Sequence, residues 1–206
     1  MEQSDREELL VTFARCAAAL LVSAGCATTQ VRRMDVNEVK DVSGRWNDTD
    51  ARLVAEEMIQ DSISRPWLAS ASQRKGSAPT LVVQTVRNDS MEHINTDVFV
   101  EELQRALINS GRVQFVASAS ERGDLRAERA DQDLNASEET RKEHGQEIGA
   151  DYGLSGTISS VQDREGGESV VLYQVNLKLV DVKTNQIVWH GQKKIKKSIS
   201  RASATF

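Results

Sequence analysis

The chain has 206 residues, 39% of them hydrophobic and 28% charged, and 26 Lys and Arg against 31 Asp and Glu give a net charge of −5. That length fits one domain with terminal extensions, the composition is globular rather than fibrous or disordered, and the acidic balance provides no overall field to attract nucleic acid. Aromatic residues are only 4%, so the core is expected to be aliphatic.

The first apolar run, Cys16 to Gly25, is interrupted upstream by Arg15. It falls far short of the ~20 residues that cross a bilayer but suits the hydrophobic region of a secretory signal. Ser23, Ala24 and Gly25 are small enough for a peptidase pocket, and Cys26 follows them at once. The segment resembles a bacterial lipoprotein signal, although Ser23 stands where Leu is usual and Glu2, Asp5, Glu7 and Glu8 precede Arg15. Translation from Val11 would leave Arg15 as the signal's only charge. The resemblance implies a signal peptide over 1–25 and a fatty-acylated (palmitate) Cys26, with Ala27 favouring the outer membrane. Cleavage removes Cys16 with two basic and four acidic residues, so the mature chain would carry a net charge of −3. It would contain no free thiol and form no disulfide. A multiply acylated cysteine anchors firmly, because two chains already suffice.

A polar tether is expected over 27–43, completing a lipidated segment from 26 to 43, with a globular domain over 44–198 and a tail over 199–206. Asn47 or Asp48 caps a helix that runs to about Ser64, with Leu53, Val54, Met58, Ile59 and Ile63 on one side and Pro66 ending or kinking it. Residues 70–79 read as a loop, and Thr80 to Val86 as a strand buried on both faces. Residues 87–95 are polar and connect to a helix with Thr96 as N-cap, an apolar stripe of Phe99, Leu103, Ala106 and Leu107, and a left-handed stop at Gly111. A short strand, 113–116, follows.

The alternating charges of 118–136 predict a solvent-facing helix, and a further helix is expected over 137–148. Three long strands end the chain, turning at 164–167 and 182–185. In the second of these, Val171, Tyr173, Val175, Leu177 and Leu179 alternate with polar residues. The fold class is therefore α/β: a single small domain with a mixed, mostly antiparallel sheet, a C-terminal three-strand meander and about four flanking helices. The basic run Lys193, Lys194, Lys196 and Lys197 reads as a charged strand edge rather than a phosphate or headgroup site.

The blocks TLVVQTVRNDS, FVEELQRALINSGRVQFVAS, GQEIGADYGLSGTISSV and VNLKLVDVKTNQIVWHG stand in the order and spacing of LpoB-type lipoproteins, and DVSGRWNDTDARLVAEEMI resembles their opening. The resemblance spans about 41–198. It implies an outer-membrane lipoprotein on the periplasmic face that binds and activates a bifunctional peptidoglycan synthase, a class A penicillin-binding protein, and so regulates cell-wall synthesis and cell shape. The chain departs from the best-known member in having a short tether in place of a long Pro-rich linker.

Catalytic patterns are missing from the sequence. His93, His144 and His190 lack metal-ligand spacing, and the adjacent carboxylates Glu101 and Glu102 point about 100° apart on a helix. Neither GxSxG nor a Gly-rich phosphate loop occurs, so no enzyme activity, cofactor or metal is expected, and the domain is expected to act as a monomer. Arg87, Asn88, Asp89 and His93 lie in a polar stretch with no evident packing duty, and loops on rigid scaffolds often bind partners. Trp189 is a further candidate contact because aromatics are enriched at interfaces, although Trp189 and Tyr173 are both in phase with apolar positions and read first as core. The alternatives are a CsgG-like secretion lipoprotein, disfavoured by the charged 155–180 hairpin without an aromatic girdle, and a periplasmic envelope binding module, which would need a large apolar pocket.

Overall fold

A computed structural model describes residues 29–36, 38–140 and 147–200. The chain divides into two units, Met1–Glu38 and Val39–Phe206. In the first, the described residues are exposed, and the Glu38 N–H bonds to the Asp35 carbonyl at 3.1 Å.

The second unit is an α/β domain. Helix α1, Asp48–Ser64, starts with a reciprocal cap: Asn47 accepts from the Asp50 N–H and Asp50 accepts from the Asn47 N–H, both at 3.0 Å. Its buried residues, Ala51, Val54, Ala55, Met58, Ile59 and Ile63, recur at three and four, which puts them on one face. Leu53 is exposed, contrary to the expected stripe; the small Ala51 and Ala55 let the helix approach the sheet in its place.

The expected loop after residue 70 is instead the end of helix α2, Pro66–Lys75. Proline stops one helix yet suits the first position of the next, and Gly76 closes α2 at φ 73°. Trp67, Leu68 and Ala71 are buried, and the Trp67 indole N–H donates to the Ser62 carbonyl at 2.7 Å. Strand β1, Thr80–Asp89, leads to helix α3, Thr96–Asn109. The cap of α3 is Asn95 rather than Thr96: the Asn95 carboxamide oxygen accepts from the Asp97 N–H at 3.0 Å. Phe99, Leu103 and Leu107 are fully buried, each contributing on the order of 1.5–3 kcal/mol.

Gly111 takes the left-handed conformation expected of it, at φ 63°. Strand β2, Gln114–Phe115, is brief, and helix α4, Ala119–Asn135, buries no residue. Of the helix expected over 137–148, residues 137–140 and 147–148 are not helical, and 141–146 lie outside the described residues.

Strands β3, Tyr152–Glu165, β4, Glu168–Asp181, and β5, Ile187–Ser200, form the antiparallel meander. Gly166 and Gly167 turn the β3–β4 hairpin at φ 57° and 86°, conformations that favour glycine in tight hairpins. The sheet order is β2-β1-β3-β4-β5, with β1 parallel to both β2 and β3. It is a mixed, mostly antiparallel sheet.

The buried faces of α1 and α3 pack on the sheet side formed by Leu81, Val83, Val86, Leu154, Ile158, Val175, Leu177 and Leu179. β1 is thus buried on one face, not two: Gln84 and Thr85 are exposed. A bulge sets Gln84 and Thr85 opposite the single residue Ser155, so Val83 and Val86 both face the core despite being three apart.

Candidate partner-binding surface

The expected polar loop begins as strand. Arg87, Asn88 and Asp89 end β1, paired with Thr157, Ile158 and Ser159 of β3. The Arg87 guanidinium meets Asp89 Oδ2 at 3.0 Å, and both side chains are exposed. Asn88 holds the following turn: its Nδ2 donates to the Glu92 carbonyl at 2.7 Å, and its Oδ1 accepts from the Ser90 N–H at 3.0 Å and the Ser90 hydroxyl at 2.6 Å. The Met91 N–H donates to Ser160 Oγ at 3.1 Å, which fixes the turn on β3. Met91 and His93 are exposed. Arg87, Asn88, Asp89 and His93 therefore sit together at the end of β1, with Asn88 occupied in shaping the turn.

Trp189 lies elsewhere. It is on β5, separated from β1 by β3 and β4 in the sheet order, and is only 6% exposed. Its indole N–H donates to Asp61 Oδ2 at 2.9 Å, which makes it a packing residue against α1 and removes it from the accessible contacts. With the Arg65 guanidinium, that bond holds the Asp61 carboxyl below the usual carboxylate range.

Glu92, absent from the sequence candidates, gives this stretch a packing duty that the sequence does not announce. Its Oε1 accepts from the Tyr173 hydroxyl at 2.6 Å and its Oε2 from the Trp46 N–H at 3.3 Å. Trp46 in turn meets Phe99 and Tyr173 edge-on, at centroid distances of 6.1 and 5.7 Å. The only sequence signal was the in-phase Tyr173, whose buried hydroxyl needs a partner.

The sheet side away from α1 and α3 is open. Its rows cross the strands as Arg87–Thr157–Asn176–Gln192, Asp89–Ser159–Gln174–Lys194 and Val161–Leu172–Lys196. Gln192 and Gln174 both donate to Asn176 Oδ1, at 3.0 and 3.3 Å. Near β1 this face runs into a groove of about 1450 Å³, bounded by Thr96 to Gln104 of α3 and by the start of α4, with Ser155, Lys178 and His190 among its lining residues. The Arg122 Nε, at that start, is buried without a hydrogen-bond partner.

The basic run is divided by the pleat. Lys193 pairs with Glu57, and Lys197 lies 2.6 Å from Asp50 and 2.9 Å from Asp41. Burial works against the Lys197 charge, yet hydrogen bonds to Asp50 and Asp41 outweigh it and raise its pKa. Lys194 and Lys196 face the open side. β5 is the edge strand, as the run predicted, but half of the run is engaged rather than solvated.

Among the described residues no group of three or more His, Cys, Asp or Glu side chains could hold a metal, and no helix is long and apolar enough to cross a membrane. Cys26 and His144 lie outside the described residues. The domain is thus an α/β layer with a broad polar face and a groove at its parallel edge. More particularly, the model of the peptidoglycan-synthase activator LpoB family matches residues 50–195, and the chain belongs to that family.

Among solved structures, the chain is similar to the LpoB C-terminal domain from Salmonella enterica, with 20% identity, a TM-score of 0.41, and 71% of this chain and 98% of that one covered. The corresponding Escherichia coli domain gives 20% identity, a TM-score of 0.38, and coverage of 68% and 97%. Lipoprotein GNA1162 from Neisseria meningitidis gives 14%, 0.38, and 61% and 88%. No curated protein matches the chain.

Proposed function

We propose that the protein is an outer-membrane lipoprotein, anchored on the periplasmic side through Cys26, that binds and activates a class A peptidoglycan synthase. The observation that carries this reading is the family match over residues 50–195. The small residues Ser23, Ala24 and Gly25 before Cys26 support the anchor. Activation follows if the domain binds the active conformation of the synthase more tightly than the inactive one, because only that difference shifts the equilibrium. The chain's role is then regulatory, one monomer on one synthase, with the chemistry remaining in the partner. Arg87, Asp89 and His93 are the accessible members of the turn and are assigned to the contact.

The anchor and the contact are tested together. Labelled palmitate should enter the wild-type chain and not Cys26→Ala, which should leave the membrane fraction. Purified wild-type chain should bind the ectodomain of a class A synthase from the same cell. Palmitate incorporation equal in both chains would contradict the anchor, and no binding to any class A synthase would contradict the function.

A further inference from the structure

Residues 41–46 lie as a strap against the core side of β4 and β5. The Gly44 carbonyl accepts from the Tyr173 hydroxyl at 3.1 Å, and Lys197 Nζ donates to Asp41 Oδ1 at 2.9 Å and to the Arg45 carbonyl at 3.2 Å. A Cβ on Gly44 would overlap the Ile199 side chain, so the strap is seated with no space beneath it. Trp46 ends it, with its ring on Phe99 and Tyr173.

Among the described residues, the hydrogen bond that ties the turn of Arg87 to His93 to this strap comes from Glu92. Its main chain closes the turn: the carbonyl accepts from Asn88 Nδ2 at 2.7 Å, and the N–H donates to Ser90 Oγ at 3.2 Å. Its carboxylate reaches the other way, to the Trp46 N–H at 3.3 Å and the Tyr173 hydroxyl at 2.6 Å. Satisfying the buried hydroxyl does not account for Glu92, because the Gly44 carbonyl is already an acceptor for it. Nor does contact with a partner, since both carboxylate oxygens are directed into the protein. What the carboxylate joins is the strap on one side and the exposed Arg87, Asp89 and His93 on the other.

We propose that Glu92 is a positioning residue: seated on the strap, it holds Arg87, Asp89 and His93 in the arrangement that meets the synthase, so that release of the strap weakens binding. The proposal rests on the activator reading and its assignment of the turn. A loop already held in its bound conformation loses less freedom on association, and one that holds it only part of the time binds more weakly in the same proportion. The strap follows the tether in the chain, so the contact depends on how that connection is seated on the domain.

The test uses the full chain in detergent and the purified ectodomains of the class A synthases of the same cell, with affinity and the hydrogen exchange of residues 87–93 measured below the melting point of every variant. Glu92→Ala should lose about tenfold or more in affinity, the scale of hydrogen bonds to a charged group, and its turn amides should exchange faster. Glu92→Gln should bind within about threefold of wild type, because its amide can donate to the Tyr173 oxygen while that hydroxyl turns to the Gly44 carbonyl. Gly44→Val changes no residue of the turn and should reproduce the loss by lifting the strap off Ile199; Gly44→Val/Ile199→Ala should restore binding. Wild-type affinity in Glu92→Ala or in Gly44→Val overturns the positioning role and leaves the activator reading standing. Equal loss in Glu92→Ala and Glu92→Gln overturns it as well, since the carboxylate would then touch the synthase itself. If Glu92→Ala does not fold, the Gly44 and Ile199 pair decides, and loss without restoration overturns the proposal. No binding by wild type overturns the activator reading, and the proposal with it.

Discussion

The hydroxyl of Tyr173 and the ammonium of Lys197 reach the same stretch of chain, residues 41–46, from neighbouring strands. The hydroxyl donates to Glu92, with the Gly44 carbonyl sharing it at 3.1 Å, and Lys197 donates to Asp41 and to the Arg45 carbonyl. Burial pushes the Tyr173 phenol well above its ordinary pKa, and the Glu92 hydrogen bond and charge act in the same sense. Tyr173 and Lys197 both hold their protons more tightly when folded, so the stability they contribute is complete below about pH 10 and is lost as pH rises past it. Asp41, held low by its hydrogen bonds to Lys197 and Asn47, and Asp61 behave in the opposite way: their contribution is present above about pH 4 and is lost as pH falls. The melting temperature should therefore be flat between these limits and decline on both sides. Tyr173→Phe should lower stability by about 1–3 kcal/mol and make the alkaline decline shallower; an unchanged decline would refute the assignment. Gly156 is a different kind of constraint, since a Cβ there would sit 2.4 Å from the Asn176 carbonyl oxygen. Backbone cannot yield as a side-chain tip can, so Gly156→Ala should cost about 2–3 kcal/mol in urea denaturation.

Among the elements, α4 contrasts with α1 and α3. It buries no side chain and is held by the Ser118–Glu121 cap and by Arg126 and Arg129 on Glu147. Exposed ion pairs contribute ~1 kcal/mol or less each, so local opening of α4 should cost far less than opening α1. Hydrogen exchange by mass spectrometry should show the α4 amides exchanging at least 100-fold faster than those of Val54 to Ile59. Equal protection would mean that α4 packs against a surface that the structure leaves open. The same contrast explains what the sequence revealed. The alternation in β4 and the spacing in α1 announce which side is buried, because each element meets one core. α2 is hidden by the polar composition of its second half, ASASQRK, and by a proline that reads equally well as a stop or a start. β1 passed for a doubly buried strand because TLVV is apolar on both phases, while the bulge that reverses its phase at Gln84 and Thr85 leaves no local mark.

At the scale of the molecule, the turn was legible because Arg87 to His93 are contiguous, whereas the open face exists only through the register of four strands. The Tyr173–Glu92 bond joins residues 81 apart, a pairing no local pattern announces. The attachment at Asp41 also bears on the proposed anchor: if Cys26 is acylated, residues 27–40 separate it from Asp41 and span at most about 50 Å when fully extended. A synthase at the inner membrane must then project toward the domain to be reached. The most direct measurement of the central claim is glycan polymerisation by a purified class A synthase from lipid-linked disaccharide precursor, with and without the full chain in detergent. Saturable, several-fold acceleration at equimolar chain is predicted, and a rate unchanged at any concentration of the chain, for every class A synthase of the cell, would contradict it.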